Sequence, residues 1–142
     1  MNATQPTTAE LAHELRETVG RLVRRVRTAG GPPVGQFLVL GRLDREGPAS
    51  VSDLAAAERV RPQSMAQTVR ELEEAGMVSR RPDPDDARRA FVELTPAGLG
   101  ALQSARAARE DWLTRALDSE LDAGERELLA RALALLGRVA DA

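Results

Sequence analysis

Strand-like alternation occurs in only two short runs of this chain, and they lie close together. Ala90 to Thr95, AFVELT, sets Ala90, Val92 and Leu94 on one face, the period of two that a half-buried strand requires. Met77 to Arg81, MVSRR, is shorter and stops at Pro82. Between them lies PDPDDARR, a loop dense in opposed charge. Elsewhere the apolar residues recur at helical spacing, so the chain admits one small hairpin in a mainly helical protein.

Glycine, proline and capping residues divide the rest. Thr7 with Glu10 has the spacing of a capping box and opens a helix over about Ala9–Thr28, which Gly30-Gly31-Pro32-Pro33 ends. A second helix covers about Val34–Glu46 and stops at Gly47-Pro48. Ser50 with Asp53 repeats the capping-box spacing and opens a short helix through about Glu58. Arg59-Val60-Arg61 forms a tight break, with Val60 expected as its buried anchor and Ala55 as a small contact in the short helix. Pro62 suits the first turn of a fourth helix, which runs to Ala75 before Gly76. After the hairpin, Thr95-Pro96 starts a long helix to about Leu117, and Asp118 to Asp122 interrupts it. Asp122 with Glu125 then caps a last helix through Leu136 and Val139. A short helix, a tight turn, a second helix and then a charged hairpin make the layout of a winged helix-turn-helix.

The fourth helix gives the functional clue. At 100° per residue, Met65, Val69 and Leu72 form a buried seam. Gln63, Ser64, Gln67 and Arg70 fall on or beside the opposite face, and Ala66 leaves room for close approach. Glutamine pairs with adenine and arginine with guanine in the DNA major groove. Taken alone, the same face would serve as a solvated helix surface. The turn before it and the wing after it favour DNA.

Asp86-Ala87-Arg88 with Val92, Leu94, Thr95 and Gly98 spells D-x-R-x-x-x-V-x-L-T-x-x-G. This string resembles the wing signature of the MarR family of transcriptional regulators, and length and element order agree over nearly the whole chain. The resemblance implies a homodimer in which the first, fifth and sixth helices interlock, with each winged lobe reading half of a palindromic double-stranded operator. It divides the chain into a DNA-binding lobe, 33–98, and a helical dimerisation lobe, 1–32 and 99–142. It sends the fourth helix, with Arg61, Gln63, Ser64, Gln67 and Arg70, to the major groove and Arg88 to the adjacent minor groove. Arg89 would assist or contact phosphate, and Asp86 would orient the wing through its backbone or a neighbouring arginine. The sequence leaves open which of Arg88 and Arg89 enters the groove. A narrow A·T-rich minor groove attracts an inserted guanidinium.

Charge sets limits on this reading. Net charge is −2, and residues 50–95 hold 7 arginines against 9 acids. Positive charge must therefore be local, with Arg61, Arg80 and Arg81 as its candidate sources. Outside the lobe, Leu11, Leu15, Leu129, Leu133 and Leu136 would leave a large apolar patch on a monomer and are the expected dimer interface. Trp112 reads as a packing anchor and His13 as an exposed helix residue. Arg21, Arg24, Arg25 and Arg27 read as a solvated face or intersubunit salt bridges.

Several classes are excluded. The absence of cysteine removes disulfides, thiolate metal sites and thiol switches. A single histidine removes a His-rich metal site, and no cofactor is implied. The sequence lacks a Ser/His/Asp or Cys/His set and a glycine-rich phosphate loop, so an enzyme is not expected. MNATQPTTAE has neither a basic segment nor an apolar run, so no signal peptide is read there. Nothing approaches a membrane span, and a cytoplasmic protein is expected. The family resemblance adds a small aromatic ligand bound between the dimer helices and the lobes, and a repressor relieved by it. The competing expectation is a winged-helix protein-interaction module without sequence-specific DNA binding, which the acidic balance of the lobe favours.

Overall fold

The computed structural model describes residues 5–142; the first four positions of the N-terminal segment read above lie outside the described residues. Six helices and one two-stranded sheet follow in the order α1 (Thr8–Arg27), α2 (Val34–Glu46), α3 (Val51–Glu58), α4 (Pro62–Glu74), β1 (Val78–Pro82), β2 (Ala90–Leu94), α5 (Pro96–Glu120) and α6 (Ala123–Ala140). This is the expected mainly helical fold with a β-wing.

Capping chemistry explains the boundaries. Both halves of the capping box form at Thr7–Glu10 and at Asp122–Glu125. At α3 the Ser50 hydroxyl accepts from the Asp53 amide at 3.1 Å, while the Asp53 carboxylate is engaged elsewhere. Pro62 and Pro96 occupy first turns, where a missing N–H costs nothing. The long helix outruns its expected end at Leu117 and reaches Glu120, because its stop is the extended Leu121 that leads into the Asp122 cap.

The α3–α4 turn differs from expectation in one respect. Val60 is 43% exposed and stands outside the core cluster. The turn is held by backbone instead: Arg59 takes a left-handed conformation at φ 54°, and the Val60 and Arg59 amides donate to Ala55 and Ala56 carbonyls at 3.0 and 3.3 Å. Such paired bonds close a helix end without burying a side chain. Ala55 is buried.

The core sits within the winged lobe. Val39, Leu40 and Leu43 from α2 meet Leu54 and Ala55 from α3 and Met65, Val69 and Leu72 from α4. Val78, Val92 and Leu102 complete the cluster. The strands pair antiparallel with Val78 opposite Leu94 and Arg80 opposite Val92. Ala49, ahead of α3, adds a bridge to Val92 through bonds of 2.7 and 3.1 Å, tying the wing's base to the helix-turn-helix. A part-buried Arg42–Glu58 pair at 2.7 Å joins α2 to α3, and Arg106–Asp44 at 3.0 Å joins α5 to α2.

The outer helices contrast with this. Among the described residues, α1 and α6 bury none. Leu11 and Leu133 are 55% and 57% exposed, while Leu15, Leu129 and Leu136 are half-buried. A groove of about 520 Å³ runs between the two helices, lined by Leu15, Val19, Gly20, Leu136 and Val139. Trp112 is half-buried on α5 with the Arg25 guanidinium 5.5 Å over its ring. No helix is long and apolar enough to cross a membrane among the described residues.

Candidate nucleic-acid interface

Helix α4 joins the wing through its first strand, where Arg80 pairs with Glu73 at 3.1 Å. Met65, Val69 and Leu72 are buried, as helical spacing predicts, so Gln63, Ser64, Gln67 and Arg70 face solvent. Arg61 caps the helix start and is exposed. The outer face is wired together. Arg70 donates to the Gln67 amide oxygen at 2.8 Å, and the Gln67 amide nitrogen donates to Glu71 at 3.1 Å. Glu71 also accepts from Gln36 of α2 at 3.0 Å. The partner that Glu71 finds in Gln36 lies 35 residues upstream and gives no local signal in the sequence.

The wing is shaped by its aspartates. Asp83 accepts from the Asp85 amide at 2.8 Å, and Asp86 accepts from the Arg88 amide at 3.0 Å. Short polar side chains that bond the backbone two residues on stabilise such turns. The Asp83 amide donates across the loop to the Arg89 carbonyl at 3.0 Å. Three aspartates thus sit near the tip because two of them fold it.

The two wing arginines are not equivalent. Arg89 turns back toward α3, donating to the Asp53 carboxylate at 2.5 Å and to the buried Ser50 hydroxyl at 3.2 Å. The Ser50 hydroxyl, and next the charge of Arg89, hold the Asp53 carboxyl below its ordinary range. Arg88 is exposed, and among the described residues its guanidinium has no hydrogen-bond or ion-pair partner. Asp53 reads in sequence as a helix-capping residue, and that role hid its contact with the wing.

Local positive charge is scarcer than the arginine count suggests. Arg80 pairs with Glu73 at 3.1 Å. Arg81 pairs with Glu93 at 3.5 Å and lies over the Phe91 ring. These two expected sources of positive charge are therefore compensated. Arg59, Arg61 and Arg88 are exposed and outside every ion pair of the described residues.

A second polar feature lies behind the lobe. Arg109 is 8% exposed on α5, in line with the buried Leu102 and Ala105. Its guanidinium stacks 3.9 Å from the Phe37 ring centre and donates to the Pro32 carbonyl at 3.3 Å, while its Nε is buried without a partner. Burial, and then the nearby Arg27, push its pKa down, but a guanidinium remains a cation. The spacing Leu102, Ala105, Arg109 could have placed this arginine on the buried stripe of α5. No group of His, Asp and Glu suited to a metal ion occurs among the described residues.

These features have counterparts in known proteins. The MarR family model matches residues 33–90, which span α2, the helix-turn-helix and the wing to its second strand. An HTH-type transcriptional regulator of Mycobacterium tuberculosis is 36% identical over 136 residues, covering 94% of each chain. The HTH-type transcriptional repressor NicR of Pseudomonas putida is 30% identical over 137 residues, covering 87% of this chain and 86% of NicR. A crystal structure described as a transcriptional regulator from Pseudomonas aeruginosa superposes with a TM-score of 0.83 at 45% identity, covering 95% of this chain and 98% of that one. With regulators of this kind matching it along almost its full length, in sequence and in structure, the chain belongs to the MarR family of helix-turn-helix transcriptional regulators rather than to any family of enzymes.

Proposed function

We propose that this protein is a homodimeric repressor that binds a palindromic double-stranded operator in the cytoplasm and is released from it by a small aromatic ligand. The lobe of residues 33–98 reads DNA, and 1–32 with 99–142 form the dimer. The observation that carries the reading is the asymmetry of the wing beside α4: Arg89 is held by Asp53, whereas Arg88 leaves an ordered tip unpaired. A free guanidinium on the wing, together with a helix presenting Gln63, Ser64, Gln67 and Arg70, matches minor-groove insertion beside major-groove readout. Arg61 at the start of α4 serves a phosphate, and Arg89 serves the wing rather than the DNA.

Dimerisation is supported by α1 and α6, whose exposed leucines one chain cannot cover, since patches of this kind mark interfaces. Repression is supported by the name of the relative NicR. Ligand response is supported by Arg109: a cation stacked on Phe37, with an unpartnered Nε, suits an aromatic acid. Selection from a random DNA pool, followed by footprinting, tests the whole reading. A recovered palindrome protected in both grooves is expected. Absence of protection at every salt concentration would favour the interaction-module alternative, which the internal pairing of Arg80, Arg81 and Arg89 also suits.

A further inference from the structure

The polar network on α4 contains an acid where a DNA-facing surface gains nothing from negative charge. Glu71 lies one turn beyond Gln67 and one residue beyond Arg70. One carboxylate oxygen accepts from Gln67 at 3.1 Å and the other from Gln36 at 3.0 Å. Arg70 reaches Gln67 from the other side at 2.8 Å. Residues three and four apart on a helix are neighbours, so two of these bonds are local. The third fastens the network to a different helix.

A glutamine amide has two N–H donors and two acceptor lone pairs. Glu71 occupies one donor and Arg70 one lone pair. One donor and one lone pair remain, which is the complement needed for bidentate pairing with adenine N7 and N6. Gln67 is thereby fixed in orientation before DNA arrives. Hydrogen bonds from Gln67 and then Gln36 hold the Glu71 carboxyl below its ordinary range, so the acid is ionised at neutral pH and repels phosphate on any sequence.

We infer that Glu71 is a positioning and specificity-determining residue: braced by Gln36, it fixes Gln67 and Arg70 for base readout, while its charge lowers the affinity for DNA of any sequence. The inference rests on the proposed entry of α4 into the major groove and adds a residue that reads no base itself. The repulsion acts on all DNA and the positioning only on the operator, so their balance differs between the two kinds of DNA and is separable from a structural role.

The test uses the full-length protein, the duplex recovered by selection, and a random-sequence duplex of equal length, titrated by fluorescence anisotropy at several salt concentrations. Glu71→Gln should bind the random duplex more tightly than wild type. Its operator-to-random ratio should fall by about fivefold to a hundredfold, the range of one good bidentate base contact, with the loss confined to the bases that Gln67 and Arg70 meet. Gln36→Ala should lower the ratio without tightening random binding, because it loosens the brace and leaves the charge. An unchanged ratio in Glu71→Gln overturns the inference, as does a parallel loss of both affinities with a lowered melting temperature. If wild type itself shows no preference for the selected duplex, the groove assignment of α4 fails and Glu71 fails with it. If wild type discriminates and Glu71→Gln discriminates equally, only the role of Glu71 falls.

Discussion

Arg89 of the wing closes on Asp53 of α3 across 36 residues of sequence, so the wing is latched to the helix-turn-helix by side chains as well as by the Ala49–Val92 bridge. Both members are about half exposed, and such a pair contributes at most about 1 kcal/mol to stability. Its expected consequence is geometric, through the direction in which the neighbouring Arg88 leaves the wing. Asp53→Ala and Arg89→Ala should each leave the melting temperature nearly unchanged and each weaken operator binding. The double variant should cost about as much as either single one, because both remove one contact. Additive losses in that cycle would separate the two residues. The carboxyl of Asp53 is depressed, so the latch is complete above the unfolded value of about 3.9 and is lost only as pH falls through the lower folded value. Operator affinity should accordingly show no titration from Asp53 between about pH 5 and 8.

Arg88→Ala should reduce operator affinity by roughly 1–3 kcal/mol, the scale of a specific arginine contact, with dimer mass unchanged by light scattering. The loss should be greatest on operators whose flanks are A·T-rich, since the narrow groove supplies the attraction. Equal binding by variant and wild type on such flanks would remove Arg88 from the groove.

Local signals made much of this molecule legible in the sequence. Caps, prolines and period placed all six helices, and two alternating runs placed the wing. The seam Met65, Val69, Leu72 followed from geometry within one helix. What escaped was non-local. Val60 looked like an anchor because it is apolar, but the left-handed Arg59 lets backbone bonds close the turn. The distinction between Arg88 and Arg89 depends on Asp53, and the bracing of Gln67 depends on Gln36. No window of adjacent residues contains either pair. Arg109 stood on a readable stripe, yet its stacking on Phe37 required the packing of α5 against α2.

Salt dependence follows from the compensation of the wing strand. Among the described residues, Arg59, Arg61 and Arg88 of each lobe are outside every ion pair, while Arg80, Arg81 and Arg89 are paired. If these three arginines of each lobe are the ones that meet phosphate, the six in the proposed dimer give a slope of log K against log salt of about −5. Recruiting the paired arginines as well would bring it to about −11. A slope near the steeper value, measured by titration from low to physiological salt, would mean that the internal pairs break on binding.

Gly98 closes the wing signature for a steric reason. A Cβ at this position would lie 1.9 Å from the Met77 carbonyl oxygen, which also accepts from the Thr95 amide at 3.2 Å. The Thr95 hydroxyl meanwhile donates to the Gly76 carbonyl at 2.6 Å. A clash with backbone at a junction of β1, β2 and α5 cannot be relieved by a rotamer change. Gly98→Ala should destabilise the fold by at least the roughly 1–3 kcal/mol typical of overpacking, read as a lowered denaturation midpoint. Gly100→Ala is the control, since a Cβ there meets nothing within 4 Å, and a helix-interior glycine replaced by alanine should gain about 0.5–1 kcal/mol.

Leu133 on α6 is 57% exposed and Leu11 on α1 is 55% exposed, yet neither belongs to the core of the lobe. If a second copy covers them, Leu133→Asp places a carboxylate in an apolar interface. That burial is far costlier than the lost leucine surface alone. Sedimentation should then show a monomer. The winged lobe should remain folded, because its core residues, from Val39 to Leu102, are untouched. Operator binding should collapse with the dimer if each lobe, as proposed, reads half of a palindrome. A dimer of unchanged mass with Leu133→Asp would move the interface away from this part of α6.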